Sequence, residues 1–305
     1  MDIYSSKKIS DYWINDNSYY AMKDINKFMN YFFLWLPNSK LYIDKNNYKS
    51  HIKIYDIQEY DNINKDNINI LLCVENCYYW KHYNHYNIYG NYGDENIDIY
   101  LYNHIDKFIE TNKYIAIPII YLQIDYYKNM NSILSIDKNL CVFYKKQFCL
   151  IVSNPKGKYK NDLEKIERYI KKIYPCHHIS RYSHILGQES CYHSEKLLRI
   201  FNNYKFILCY ENSFTNGYIT EKIFNVFLAK SIPLYVGPTD VYRYFNKDCF
   251  FNLREINKTM NINIKSICNN EKLFNEMIQK PKINKYFTNE NYAERSNKFL
   301  KKLLS

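Results

Sequence analysis

Short apolar runs separated by polar clusters recur along the whole chain. HIKIYDI (51–57), NILLCV (69–74), IDIYL (97–101), YIAIPI (114–119), FCLIVS (148–153), KFILCY (205–210) and IPLYV (232–236) have the length and side-chain content of buried strands. Between several of them the period lengthens. Residues 161–173 bring Leu163, Ile166, Ile170 and Ile173 to one face of a helix, and residues 219–230 set Ile219, Ile223 and Phe227 four apart. Strands alternating with amphipathic helices pack as parallel sheets, so the predicted class is α/β. The polar stretch 125–140 reads as a linker, which gives two α/β domains, 1–138 and 139–285, with a cleft expected between them. Residues 286–305, with NYAERSNKFLKKLL, read as a closing helix that packs back on the first domain.

The length of 305 residues suits two such cores, and 47% hydrophobic with 24% charged residues excludes a disordered chain. Lys+Arg 42 against Asp+Glu 31 leaves a net charge of +11. That balance fits phosphate-bearing partners: a nucleic acid, an anionic membrane surface or a nucleotide. The lysines are dispersed, however, and the Asn, Ile, Lys and Tyr bias is chain-wide, as an AT-rich coding sequence would produce. The expectation is therefore no nucleic-acid partner and at most weak association with a membrane surface. The nine cysteines form no C-x-x-C pair, and Cys73, Cys149 and Cys209 lie inside apolar runs, so they read as reduced buried thiols. MDIYSSKKISDYW has no apolar signal core, and YFFLWLP and YIAIPIIYL fall short of the roughly 20 residues that span a bilayer. These features predict a soluble cytoplasmic protein with no transmembrane segment. They do not set an oligomeric state.

Residues 209–222, CYENSFTNGYITEK, place much polar material directly after the strand KFILCY. A helix, ITEKIFNVFLAK, and another strand, IPLYVG, follow, so ENSFTNGY is a βα loop at the carboxyl end of a parallel strand. Open α/β sheets bind ligands at such loops, and a helix N-terminus offers free N–H groups to an anion. Gly217 can take positive φ and let the loop turn tightly. Lys222 falls in the first helical turn, where the helix dipole disfavours a cation unless an anion sits nearby. Glu221 only accepts hydrogen bonds, which suits a ribose hydroxyl. The stretch is neither a Walker loop nor a G-x-G-x-x-G turn. Spacing alone does not separate this phosphate seat from an ordinary capped helix start.

The same residues resemble a known family. Y-E-N-S-x-x-x-x-Y-I-T-E-K, a helix and then I-P-L-Y-V-G is similar to the donor-site signature of the α-1,3-fucosyltransferases of glycosyltransferase family 10. The likeness runs from Phe206 to about Phe251, weaker similarity extends over most of the chain, and VSNPKGKYKNDLEKI resembles the segment that opens the family's donor domain. The resemblance implies a GT-B fold of two Rossmann-like domains, the N-terminal one acceptor-binding and the C-terminal one donor-binding. It implies inverting transfer of L-fucose from GDP-fucose to a sugar hydroxyl of a glycan acceptor. A bound metal is not required and is at most stimulatory.

Such a reaction needs a base for the acceptor hydroxyl and a stabiliser for the departing diphosphate. The resemblance implies Glu75, at the end of NILLCV, as base, with Glu211 as the alternative or as a group that orients the donor. It implies Lys222 for the leaving group, with Asn154, Asn212, Tyr218 and Glu221 also on the donor. Lys160 stands where the family has an arginine, so the charge is kept and the bidentate fork is lost, with Lys156 and Lys158 as alternatives for the cation. Tyr79, Trp80 and His82 offer aromatic faces with polar tips to a sugar acceptor. The histidines of CHHISRYSHILG do not have the spacing of a metal motif and read as structural. Three other readings compete with it: a GT-B enzyme with a different sugar nucleotide, a basic nucleic-acid-binding protein, and an inactive, lectin-like relative, against which Glu75 and the intact Y-I-T-E-K segment speak.

Overall fold

The computed structural model describes residues 2–5, 40–43, 52–56, 68–73, 99–102, 114–116, 147–153, 160–180, 195–212, 214 and 216–284. The chain divides into two compact units, Met1–Tyr121 with Thr288–Ser305 and Leu122–Phe287, and each carries one sheet. In the first, the described residues are six strands: β1 (Asp2–Ser5), β2 (Lys40–Ile43), β3 (Ile52–Asp56), β4 (Ile68–Cys73), β5 (Ile99–Tyr102) and β6 (Tyr114–Ala116). They pair in the order β2-β1-β3-β4-β5-β6, all parallel.

The second unit alternates strands and helices: β7 (Gln147–Ser153), α1 (Lys160–Lys171), β8 (Cys176–Ser180), α2 (Glu195–Asn202), β9 (Tyr204–Tyr210), α3 (Glu221–Leu228) and β10 (Ile232–Val236). The short helix α4 (Val241–Tyr244), β11 (Phe251–Asn252), α5 (Lys258–Asn269) and α6 (Glu271–Gln279) follow. The strands lie in the order β11-β10-β9-β7-β8, again all parallel. Every residue of β10 is buried, as expected for a central parallel strand covered on both faces.

The pleat sorts β9 and β10 into two faces. Phe206, Leu208, Ile232, Leu234 and Val236 join Leu163 and Ile170 of α1, Ile264 of α5 and Phe274 of α6 in one core. The expected α1 stripe is therefore real, with Ile166 and Ile173 packed half-buried against the same core. On the opposite face α3 packs on β9 and β10, and seven of its eight residues are buried. The side chains of Asn257 and Asn270 accept from Met260 N and Leu273 N and cap α5 and α6.

All seven strands expected from the sequence are present. Four were not expected: β1, β2, β8 and β11. Three of these, β2, β8 and β11, are sheet edges, where one neighbour suffices and the apolar signal is weak. CHHIS is the clearest case, because its histidines belong to strand β8. The closing helix expected in 286–305 lies outside the described residues. Among the described residues no helix is long and apolar enough to cross a membrane.

The core predicts two contrasting substitutions. Phe206 has no exposed surface, so Phe206→Ala should destabilise the second unit by about 3–5 kcal/mol. Ile262, 63% exposed on α5, should tolerate Ile262→Ala within about 0.5 kcal/mol. Chemical denaturation of both variants checks this, and similar losses would show that the packing is assigned to the wrong face.

Candidate functional site

In the second sheet the chain order reverses between β7 and β9. From β7 the chain steps outward to β8, then crosses back to β9 and continues to β10 and β11 on the other side. Parallel strands that depart in opposite directions leave a crevice at their carboxyl ends, the place where open α/β sheets hold ligands. The loop after β9 and the start of α1 after β7 both belong to this edge.

The β9 ladder continues one residue past the strand, with Glu211 N donating to Val236 O at 2.8 Å. The pleat then turns Glu211 to the same side as Ile207 and Cys209, toward α3. Its carboxylate has no exposed surface and is fully engaged from α3. Thr220 N donates to Oε1 at 2.9 Å, Thr220 Oγ1 donates to Oε2 at 2.7 Å, and Lys222 Nζ donates to Oε2 at 3.0 Å. Lys222 Nζ also donates to Thr220 Oγ1 at 2.8 Å and lies 3.8 Å from Glu221 Oε1. The conflict between Lys222 and the helix dipole is thus met from within the chain by Glu211. Thr220 occupies the N-cap of α3 yet makes no side-chain cap bond there, since its hydroxyl is turned to Glu211. Burial pushes the Glu211 carboxyl above its ordinary range, against the pull of Lys222 and the Thr220 hydrogen bonds and with a further push from Glu221.

The loop after β10 braces the loop after β9. Gly217 takes φ 88°, as its position in the turn anticipated, and its N–H donates to Asp240 Oδ2 at 2.9 Å. Thr239 Oγ1 donates to Asn216 Oδ1 at 3.2 Å. A side chain at Gly237 would place Cβ 2.3 Å from Tyr235 Oη and 2.8 Å from Glu211 Cγ, so only glycine fits there. The Tyr235 hydroxyl beneath it has no hydrogen-bond partner among the described residues. Its pKa is raised well above the usual tyrosine value, chiefly by burial and then by the charges of Glu211 and Asp240. From beyond β11, Arg254 Nη1 donates to Gly237 O at 3.1 Å, and its guanidinium lies 5.1 Å over the Phe214 ring.

The structure therefore gathers Glu211, Tyr218, Glu221 and Lys222 at one end of α3. Tyr218 and Glu221 are 3% and 4% exposed, while Asn212 faces solvent. Lys160 is the first residue of α1. Glu75, Tyr79, Trp80, His82 and Asn154 lie outside the described residues. Thr220, Tyr235, Gly237, Asp240 and Arg254 join the site without a role assigned from the sequence, though the loop after every parallel strand of such a sheet is a candidate. Among the described residues no group of three or more His, Cys, Asp or Glu side chains is placed to hold a metal. His177 of β8 meets the Tyr204 hydroxyl at 3.0 Å instead.

The raised Glu211 pKa gives a signed pH effect. Between the ordinary carboxylate pKa, about 4.3, and the raised one, the folded chain keeps a proton that the unfolded chain has released. Stability contributed at Glu211 is therefore lost as pH rises through that window. Across it the Tm of the wild type should fall relative to that of Glu211→Gln. Parallel melting curves would show that burial does not perturb this group.

Comparison with known proteins bears on the same region. Residues 143–299, just over half of the chain, match glycosyltransferase family 10 (fucosyltransferase), C-terminal region. A protein of Acanthamoeba polyphaga mimivirus provisionally assigned as a fucosyltransferase is 32% identical over 96 residues, 31% of this chain and 16% of that protein. The 4-galactosyl-N-acetylglucosaminide 3-alpha-L-fucosyltransferase 9 of Homo sapiens is 32% identical over 140 residues, 42% of this chain and 35% of that protein. The chain thus spans well under half the length of these curated relatives. A crystal structure of an α1,3-fucosyltransferase with GDP-fucose superposes over 100% of this chain and 90% of its own, with TM-score 0.64 and 18% identity. Another crystal structure of an α1,3-fucosyltransferase gives TM-score 0.67 at the same identity. That likeness carries the fold, which is of the GT-B type. Since the matched region holds the whole second sheet together with the Glu211–Lys222 cluster, the chain belongs to glycosyltransferase family 10.

Proposed function

We propose that the chain transfers L-fucose from GDP-fucose to a sugar hydroxyl of a glycan acceptor, with inversion at the anomeric carbon. The observation that carries this reading is the Lys222 ammonium, held at the first turn of α3 by a buried carboxylate 3.0 Å away. It stands at the carboxyl edge of a parallel sheet in a family 10 chain. Family membership and the fucosyltransferase relatives supply the sugar and the nucleotide.

In the proposed reaction the acceptor oxygen attacks the anomeric carbon from the face opposite the diphosphate. The new glycosidic bond forms as the bond to GDP breaks, and GDP leaves with the electron pair. The acceptor proton passes to a base, the role proposed for Glu75. Negative charge grows on the departing diphosphate, and Lys222 with the N–H groups of α3 is the protein's answer to it. Lys160, the first residue of α1, is proposed as a second cation for the diphosphate. No metal is required in this scheme, because protein cations and amides supply the compensation.

Glu211 is assigned to orientation. With both oxygens bonded and no surface, it fixes Lys222 rather than meeting an acceptor. Tyr218 and Glu221 are proposed to face the nucleoside, Asn212 and Asn154 to shape the donor pocket, and Tyr79, Trp80 and His82 to meet the acceptor.

The test separates the two roles. The wild type should convert GDP-fucose and a glycan acceptor into a fucoside whose anomeric configuration, read by NMR, is inverted. Glu75→Gln should keep GDP affinity and lower kcat by roughly 10²- to 10⁴-fold, the range for a lost general base. Lys222→Ala should weaken GDP binding and also lower kcat, because its attraction to the diphosphate strengthens in the transition state. No transfer with GDP-fucose, but transfer from another sugar nucleotide, would overturn the donor assignment. Unchanged GDP affinity in Lys222→Ala would remove the diphosphate seat.

A further inference from the structure

The charge at the proposed diphosphate seat does not balance on Lys222 alone. Its ammonium is shared between two carboxylates, Glu211 Oε2 at 3.0 Å and Glu221 Oε1 at 3.8 Å. That cluster carries no surplus positive charge, whether or not the buried Glu211 holds a proton. A diphosphate brings at least two negative charges, so further cations must face it.

Arg254 is such a cation, and the fold holds it at this edge. It follows β11, and its backbone N–H is fixed by Asn252 Oδ1 at 3.1 Å. Its guanidinium rests over Phe214 of the β9 loop, 5.1 Å from the ring centroid. Phe214 is itself packed on Tyr210, with centroids 5.5 Å apart. Nη1 donates to the carbonyl of Gly237, where a Cβ would come 2.8 Å from Glu211 Cγ. Arg254 and the Glu211–Lys222 pair therefore flank one glycine. The neighbouring Glu255 is engaged elsewhere, by Tyr242 Oη at 2.8 Å and Asn252 Nδ2 at 3.2 Å. Among the described residues no carboxylate pairs with Arg254, and its side chain remains exposed. A planar fork stacked on an aromatic ring, with Nη1 alone hydrogen-bonded among the described residues, is preorganised for an oxyanion.

We propose that Arg254 is a donor-binding residue whose guanidinium holds the diphosphate of the nucleotide sugar alongside Lys222. This rests on the sugar-nucleotide reading of the β9–α3 edge, and it assigns to that site a contact from the far side of the sheet. Phe214 acts as a positioning residue: it fixes the plane of the guanidinium and touches no phosphate itself.

Calorimetry on the full chain tests it with GDP and with guanosine, which lacks the phosphates. Arg254→Ala should weaken GDP binding roughly 10- to 100-fold, the range for a lost charge-assisted hydrogen-bonded contact. Guanosine affinity should stay within about 2-fold of wild type, since no phosphate is lost from that complex. Arg254→Lys keeps the charge without the fork and should recover part of the loss. It also serves should the alanine variant fold poorly, provided its Tm matches the wild type. Phe214→Leu should weaken GDP binding by a few-fold, because the fork loses its platform. Wild-type GDP affinity in Arg254→Ala would overturn the inference while leaving the site reading intact. An equal loss for guanosine would mean that Arg254 reads the nucleoside, and would overturn the diphosphate contact. Failure of the wild type to bind GDP would overturn the site reading, and this inference with it.

Discussion

Lys222 carries its ammonium 3.0 Å from the carboxylate of Glu211, a residue with no exposed surface, at the start of a helix whose dipole opposes a cation there. Either group alone would be costly. A buried unpaired carboxylate loses its hydration, and a lysine in the first turn works against the helix. Together, with Thr220 bonded to both, they fix the geometry where α3 leaves the β9 loop. Thr220 serves this cluster instead of capping the helix. Burial pushes the Glu211 carboxyl above its ordinary range, and the arrangement holds a cation in a fixed place before any ligand arrives. Such preorganisation is what stabilisation of a leaving diphosphate requires.

The rest of the second unit supports that cluster. The reversal of strand order between β7 and β9 opens the crevice. The β10 loop then braces the β9 loop through Asp240 and Gly217, and Gly237 admits Tyr235 and Glu211 into close contact because it lacks a side chain. The buried Tyr235 hydroxyl, without a hydrogen-bond partner among the described residues, is a second unfavourable feature accepted at the same spot. Strained or under-satisfied groups of this kind gather where function rather than stability shaped the packing.

Much of the second unit was legible from the amino-acid sequence because its signals are local. KFILCY and IPLYV are continuous apolar runs fixed by burial on both faces, and Gly217 in the turn foretold its positive φ. The α1 stripe followed from helical spacing. What the sequence hid depends on contacts across long separations. Glu211 reads as a loop carboxylate until the pleat turns it under α3. Arg254 reads as one more surface cation until Phe214 and Gly237, both distant in sequence, are brought to it. Helices α5 and α6 went unread although Asn257 and Asn270 cap them, because asparagine is common throughout this chain and its caps carry little contrast. The β8 strand, Cys176–Ser180, was hidden by its polar composition, which an edge position tolerates.

The central claim is that Lys222, anchored on Glu211, seats the diphosphate of a nucleotide sugar. Determining a crystal structure of the chain with GDP tests it most directly. The account predicts a phosphate oxygen within hydrogen-bonding distance of Lys222 Nζ at the N-terminus of α3, with Glu211 still buried beneath the ammonium. A diphosphate bound elsewhere, with Lys222 still closed onto Glu211 and making no contact with it, would contradict it.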